Sequence, residues 1–377
     1  LREVRYSIAA GAAPPDNLLK EISPAILEGQ GDVRVNISSS RLFEVHDALS
    51  YVLHYPYGCV EQTTSAAMPW LALSGYENLF PDLLDGTRRK EVVQASVDRL
   101  MQMTTDDGGL AYWPGGKEAN LWGSAYGGML LLRAKTAGAM VPDDTVDALM
   151  DFLSKRLRGL DDERNDYVLA DSALALYTLA RAKRSEPAYH NLLYGRRERL
   201  PETARLYLGL AILLSDGPEQ QVKDLIGWRP SAPPVKGAKK AVARPRPTSE
   251  WTYWAGNQVN KALRLICYVH MGLTADANEV AEQIMRSRNG RGEWGNTYTN
   301  AWMLTALSAY DRSQKGASQP ISTTLAWGAQ TVPLNLDKVP GVTGATLPLT
   351  AALTAVPMSL ALPADRDTFV RVEARAF

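Results

Sequence analysis

Across residues 41–311 the apolar positions recur every three to four residues, and on either side of that span they alternate with polar ones. The first pattern predicts amphipathic helices and the second half-buried strands. Leu42, Val45, Leu49, Val52 and Leu53 line one helix that ends before Pro56, and a second helix follows over 60–74. After Pro81 the helices come in pairs: 88–103 with 121–137, 144–157 with 167–184, 188–199 with 202–214, 219–226 with 254–271, and 277–287 with 299–311. In most pairs the second helix is the more apolar, as in Met129-Leu130-Leu131-Leu132 and Ala173-Leu174-Ala175-Leu176. A helix apolar most of the way round belongs to an inner layer. About six hairpins with inner and outer rows predict a mainly α fold, an α/α toroid.

The alternating segments lie at the two ends of the chain. Val4-Arg5-Tyr6-Ser7-Ile8 and Val33-Arg34-Val35-Asn36-Ile37-Ser38 read as strands, too few to close a sheet alone. Beyond Lys315, the stretches beginning at Leu325, Thr331, Met358 and Thr368 read as further short strands between Pro/Gly turns. Together they predict one small β-sandwich into which the helical span is inserted. The expected boundaries are 1–39 for the first β part, 40–314 for the toroid and 315–377 for the second β part. Two turns, Asp107 to Trp113 and Gly290 to Gly295, place glycines and a tryptophan just before inner helices. Asn120, and Thr299 or Asn300, are the expected N-caps there. Trp113, Trp122, Trp254, Trp294 and Trp302 are expected to wedge hairpin ends together. The Pro-rich stretch 229–247, whose charges are all basic, reads as a solvated insertion.

Composition narrows the function classes. The 377 residues are 45% hydrophobic and 22% charged, and Lys plus Arg (41) equals Asp plus Glu (41). That balance gives no reason to expect nucleic acid as a partner of the whole chain. No apolar run is long enough to span a bilayer and the start is not signal-like, so no membrane contact is expected from this stretch. It reads as a piece of a longer polypeptide that carries any targeting information elsewhere. Two cysteines make no disulfide framework, and Cys267 sits in a helical apolar pattern as a core thiol. His46, His54, His190 and His270 lack paired metal-ligand spacing, so neither metal nor other cofactor is expected.

The chemistry concentrates in Tyr55-Pro56-Tyr57-Gly58-Cys59-Val60-Glu61-Gln62. A residue and its third neighbour share one face of a first helical turn. The Cys59 thiol can therefore reach the Gln62 side-chain carbonyl, expel ammonia and close an internal thioester, a stored electrophile. Pro56 keeps Tyr55 out of the helical region, and Gly58 is expected to permit a tight entry. A helix N-terminus stabilises a thiolate, while Glu61 in the same turn partly opposes that effect. Two blander readings stay open: a small buried hydrophobe, and a peptidase nucleophile paired with His54, for which no peptidase signature is present.

Gly58-Cys59-Val60-Glu61-Gln62-Thr63-Thr64-Ser65 resembles the thioester motif of the alpha-2-macroglobulin and complement family. The flanking Tyr55-Pro56-Tyr57 and Met68-Pro69 are most similar to the bacterial alpha-2-macroglobulins. The resemblance implies a thioester domain inserted in a CUB-type β domain of a broad-range protease inhibitor, periplasmic and bacterial, serving host defence rather than catalysis. It implies that bait cleavage uncovers the bond, that a lysine of the attacking protease takes the Gln62 acyl group, and that Cys59 leaves as the thiol. Gly58 and Glu61 would support the motif and Tyr55 and Tyr57 would shield it. The longer protein is a candidate for membrane anchoring. Some complement-type relatives add a histidine downstream; the corresponding stretch here, 171–177, has none, which favours lysine amines over hydroxyls as acceptors. Two rivals remain. One is an enzyme on the same toroid, of the terpene-cyclase type, which needs acidic residues facing a central cavity. The acidic clusters at Asp106-Asp107, Asp143-Asp144 and Asp161-Asp162-Glu163 fall instead in turns or at helix starts. The other is an interaction scaffold in which no thioester forms.

Overall fold

The computed structural model describes residues 2–8, 12–22, 31–54, 58–227, 256–314, 319–349, 356–363, 365 and 367–376. Tyr55, Tyr57, Trp254 and the basic stretch 229–247 lie outside the described residues. Two compact units divide the chain. One comprises Leu1–His46, Ser74–Asp85 and Asp311–Phe377, the other Asp47–Leu73 and Gly86–Tyr310.

The first unit holds the strands β1 (Arg2–Ile8), β2 (Gly31–Ser38), β3 (Ile321–Trp327), β4 (Gln330–Leu336), β5 (Val342–Pro348), β6 (Met358–Leu360) and β7 (Thr368–Ala376). They form a four-stranded sheet in the order β1-β7-β2-β5 and a three-stranded sheet in the order β4-β3-β6, all pairs antiparallel. Alternation sends Val33, Val35 and Ile37 of β2 and Val370 and Val372 of β7 to one face. There they share a core with Leu325, Trp327, Leu334, Leu336, Met358 and Leu360 of the other sheet. The sequence pattern missed β5, whose alternation is broken by Gly344 and Pro348. The register explains the glycine. Gly344 lies opposite Asn36, and a Cβ there would come within 2.4 Å of both Asn36 Oδ1 and the Val35 carbonyl oxygen.

Also within this unit, the buried Asp311 carboxylate accepts hydrogen bonds from Ser40 Oγ (2.8 Å) and Tyr76 OH (2.9 Å). Burial pushes its pKa up to about 6 despite those bonds.

The second unit is built from α1 (His46–Leu53), α2 (Val60–Ala72), α3 (Gly86–Met101), α4 (Leu121–Thr136), α5 (Asp143–Arg156), α6 (Asp166–Arg181), α7 (Pro187–Gly195), α8 (Glu202–Leu214), α9 (Glu219–Gly227), α10 (Asn257–His270), α11 (Thr274–Arg286) and α12 (Thr297–Ser313), except that His46 and the end of α12 from Asp311 fall in the first unit. Inner helices pack in sequence, α2 on α4, α4 on α6, α6 on α8 and α8 on α10. Thr297, at the start of α12, donates its hydroxyl to Glu61 of α2 at 2.8 Å and so joins the last inner helix to the first. Between the inner helices the rings of Tyr126, Tyr177, Tyr207, Tyr298 and Trp302 meet at centroid distances of 5.0–6.4 Å.

The caps are only partly those expected. Asn120 accepts from Gly123 N–H (2.6 Å), as the sequence suggests. At α12 the cap is Asn296, which accepts from Thr299 N–H at 2.8 Å. Asn300 instead turns back on the preceding loop, accepting from Trp294 N–H (3.0 Å) and donating to the Gly295 carbonyl (3.1 Å). Trp122, Trp294 and Trp302 are buried, but Trp113 is 53% exposed, its ring edge-on to Tyr112 at 6.1 Å.

Candidate functional site

Helix α2 begins with its first four N–H groups unsatisfied by the helix itself. Cys59 stands at the N-cap in an extended conformation (φ −72°, ψ 172°), and Gln62 stands three residues on. Their bonds are reciprocal: Cys59 N–H donates to Gln62 Oε1 at 3.3 Å, while the Gln62 backbone N–H turns to the Cys59 sulfur. This is a capping box with cysteine in the place of serine or threonine. The helix end thus draws a nucleophilic sulfur and a carboxamide carbon together. The N–H on Oε1 sits where negative charge develops if the sulfur adds to that carbon.

Cys59 is buried, with 2% of its surface exposed. Burial pushes its thiol pKa up, more than the Gln62 backbone N–H and the Tyr112 hydroxyl pull it down; the nearby Glu61 carboxylate adds to the rise. The expected gain from the helix terminus is therefore outweighed by desolvation. Tyr112 was not singled out by the motif, yet it bonds this turn twice. Its carbonyl accepts from Val60 N–H at 3.0 Å and its hydroxyl bonds the Cys59 thiol. Its legible signal was its place in the Gly108-Gly109-Leu110-Ala111-Tyr112-Trp113 turn, which Ala111 N–H anchors on the Met103 carbonyl at 2.8 Å.

Gly58 serves differently from the tight entry expected of it. Its carbonyl accepts from Arg99 Nε at 2.8 Å, and a Cβ would meet that atom at 2.2 Å, so the glycine admits the α3 arginine. Glu61, the acid of the first turn that raises the Cys59 pKa, is itself buried. Its carboxylate accepts from Ser65 Oγ (2.6 Å) and Thr297 Oγ1 (2.8 Å), and Ser65 continues to Tyr126 OH at 3.0 Å. Burial pushes the Glu61 pKa up against those two bonds. Helix α4 approaches α2 closely because Gly123 and Gly127 face it. Cβ atoms there would lie 2.8 and 3.2 Å from Val60 methyl carbons.

Tyr55 and Tyr57, the expected shields, lie outside the described residues. His54 is exposed, its Nδ1 at 2.8 Å from the Ser50 carbonyl. His190 is buried on α7, where desolvation lowers its pKa to about 4. Asp171, in the stretch where a histidine was sought, is partly buried on α6; desolvation pushes its pKa up to about 7, and its charge bears on Tyr298. Cys267 is fully buried on α10, its thiol pushed up to about 12. Among the described residues no His, Cys, Asp and Glu gather as a metal-ligand set, and no helix is long and apolar enough to cross a membrane.

A helical unit inserted in sequence between the strands of a β-sandwich, its first inner helix capped by a cysteine–glutamine pair, defines a class: the fold of the C-terminal part of macroglobulin-type proteins. The structure is similar to that of native alpha-2-macroglobulin from Escherichia coli, spanning domain MG7 to the C-terminus, with TM-score 0.64 and 18% identity over 98% of this chain and 56% of that one. It is equally similar to Salmonella alpha-2-macroglobulin reacted with methylamine, with TM-score 0.63 and 20% identity over 98% of this chain and 23% of that one. In sequence, the chain is 31% identical to Escherichia coli alpha-2-macroglobulin over 138 residues, 36% of this chain and 8% of that protein. It is 28% identical to the Xylella fastidiosa alpha-2-macroglobulin over 214 residues, 52% of this chain and 13% of that protein. No family model matches the chain. The chain is thus similar to bacterial alpha-2-macroglobulins, and the matches span 8–13% of the length of those relatives.

Proposed function

We propose that Cys59 and Gln62 form an internal thioester, and that this chain is the covalent-coupling part of a protease-trapping inhibitor. The capping box supports the reading most directly, because it holds the thiol and the carboxamide on one helix end with an N–H on the carbonyl oxygen. In the forming step the sulfur adds to Gln62 Cδ, the carbon–nitrogen bond breaks, and the amide nitrogen leaves as ammonia with the thiol proton. In the coupling step a deprotonated lysine amine of a protease adds to the same carbon, an amide bond forms, and Cys59 leaves as thiolate and takes up the amine's proton. The protein is thus an inhibitor used once and not an enzyme. Burial of Cys59 keeps water from the bond, and Tyr55 and Tyr57 are assigned to complete the cover. A periplasmic setting, bait cleavage as trigger and protease as partner follow from the likeness to bacterial alpha-2-macroglobulins and are part of the same proposal.

Intact mass of freshly purified chain tests it. The mass should fall one ammonia short of the sequence, Cys59 should resist thiol reagents, and methylamine should add at Gln62 and free the thiol. Glycerol offered beside methylamine should couple far less, since neither His54 nor His190 stands as an acyl carrier in this reading. A full-weight chain with Cys59 alkylating before any amine treatment would leave the interaction scaffold as the better reading.

A further inference from the structure

A separate cleft lies on the outer face of the four-stranded sheet, entirely within the β unit. Because Val33, Val35 and Ile37 point into the sandwich core, Arg34 and Asn36 point the other way. Asn36 stands opposite Arg371 on β7 and opposite Gly344 on β5, so it has a guanidinium on one side and a bare backbone on the other. With no side chain at 344, the Asn36 amide lies against the β5 backbone, where a Cβ would meet its Oδ1 at 2.4 Å. The cleft has a volume of about 330 Å³, within the range of small-molecule sites.

Its polar lining is donor-rich and held in place. Asn36 is only 4% exposed, and its Nδ2 has no hydrogen-bond partner. A buried donor left unmatched costs free energy that an arriving acceptor would recover. The Arg371 guanidinium lies over the Phe43 ring at 5.3 Å, and its Nε is 3.2 Å from Glu373 Oε1. The Nε contact is an ion pair without hydrogen-bond geometry, so this buried donor, like Asn36 Nδ2, is unmatched, and a guanidinium is a planar fork that pairs with carboxylates. Arg34 stands exposed at the mouth. The acid at the rim, Asp82, is engaged by the His46 ring at 2.6 Å. Leu79, Phe80 and Val342 form the remaining, apolar wall.

We propose that this cleft binds a small carboxylate carrying an apolar body. The carboxylate takes Arg371, Arg34 and the Asn36 amide, and the apolar body lies against the Leu79–Phe80 wall. Nothing in this assignment depends on the thioester.

Calorimetric titration of the 377-residue chain with phenylacetate, phenylacetamide and acetate tests it. Phenylacetate should bind saturably, and phenylacetamide, which keeps the ring and loses the charge, should bind at least about tenfold more weakly. Acetate, lacking the body, should fall between no binding and the phenylacetate value. Arg34→Gln, at an exposed position, should keep the fold and weaken phenylacetate about tenfold. Cys59→Ala should leave binding unchanged. Equal binding of phenylacetate and phenylacetamide, an Arg34→Gln variant that binds like the parent, or no saturable phenylacetate binding up to its solubility would each overturn the proposal.

Discussion

At Cys59 two opposed influences meet on one sulfur atom. The helix end and the Tyr112 hydroxyl favour the thiolate, and burial disfavours it more. In the thioester proposed here, a poor thiolate would hold the acyl group in place, because such a leaving group departs readily only with help. Tyr112 is positioned to give that help. Tyr112→Phe keeps the ring and removes the hydroxyl, so release of thiol by methylamine should slow by a factor of about five, the worth of one ordinary hydrogen bond. Tyr112→Gly removes the ring as well and should have the opposite effect on unprovoked decay, as should Tyr55→Gly and Tyr57→Gly if those rings complete the cover. Thiol appearance over time, with and without methylamine, separates the two effects. A Phe variant as fast as the parent would leave Tyr112 a packing residue only.

At the scale of elements, the approach of α4 to α2 decides how firmly the reactive turn is held. Gly123 and Gly127 make that approach possible, and added methyl groups would meet the Val60 and Leu110 side chains. Gly123→Ala and Gly127→Ala should each destabilise the helical unit by about 1–3 kcal/mol, measured by urea unfolding, because overpacking forces side chains off their rotamers. Both glycines lie in a helix where alanine has the higher intrinsic propensity, so a gain in stability would refute the packing argument. The helix pairs were legible because their apolar stripes run for many turns, and Cys59 and Gln62 because their spacing carries chemistry. What stayed hidden depends on neighbours distant in sequence. Strand β5 is held by β2 although its own alternation is weak. Asn296 rather than Thr299 or Asn300 caps α12 because Asn300 is needed by the Trp294 turn. The partners of Tyr112 and Glu61, Cys59 and Thr297, lie too far along the chain for a local pattern to show them.

For the whole molecule, stability should depend on pH through buried acids. The folded-state pKa values of Asp171 and Asp311 stand at about 7 and about 6, above the ordinary carboxylate range, because burial disfavours their charge. Groups of this kind contribute their full stability below the unfolded-state pKa and lose it as pH rises through the folded one, here from about pH 4 to about pH 7. Partial exposure of Asp171 tempers its share to about 2 kcal/mol between pH 5 and pH 8. Asp171→Asn should flatten the slope by that amount in unfolding curves taken at the two pH values; an unchanged slope would show that Asp171 ionises freely in the fold. The hydrogen bond from Thr297 to Glu61 has a different reach, for it joins residues 236 apart. A ribosome delivering roughly 5–20 residues per second needs roughly ten to fifty seconds to pass from one to the other. Throughout that interval the nascent chain has its cysteine and glutamine but not the strut that completes their surroundings. The surroundings of the thioester proposed here are therefore complete only once residue 297 has been made.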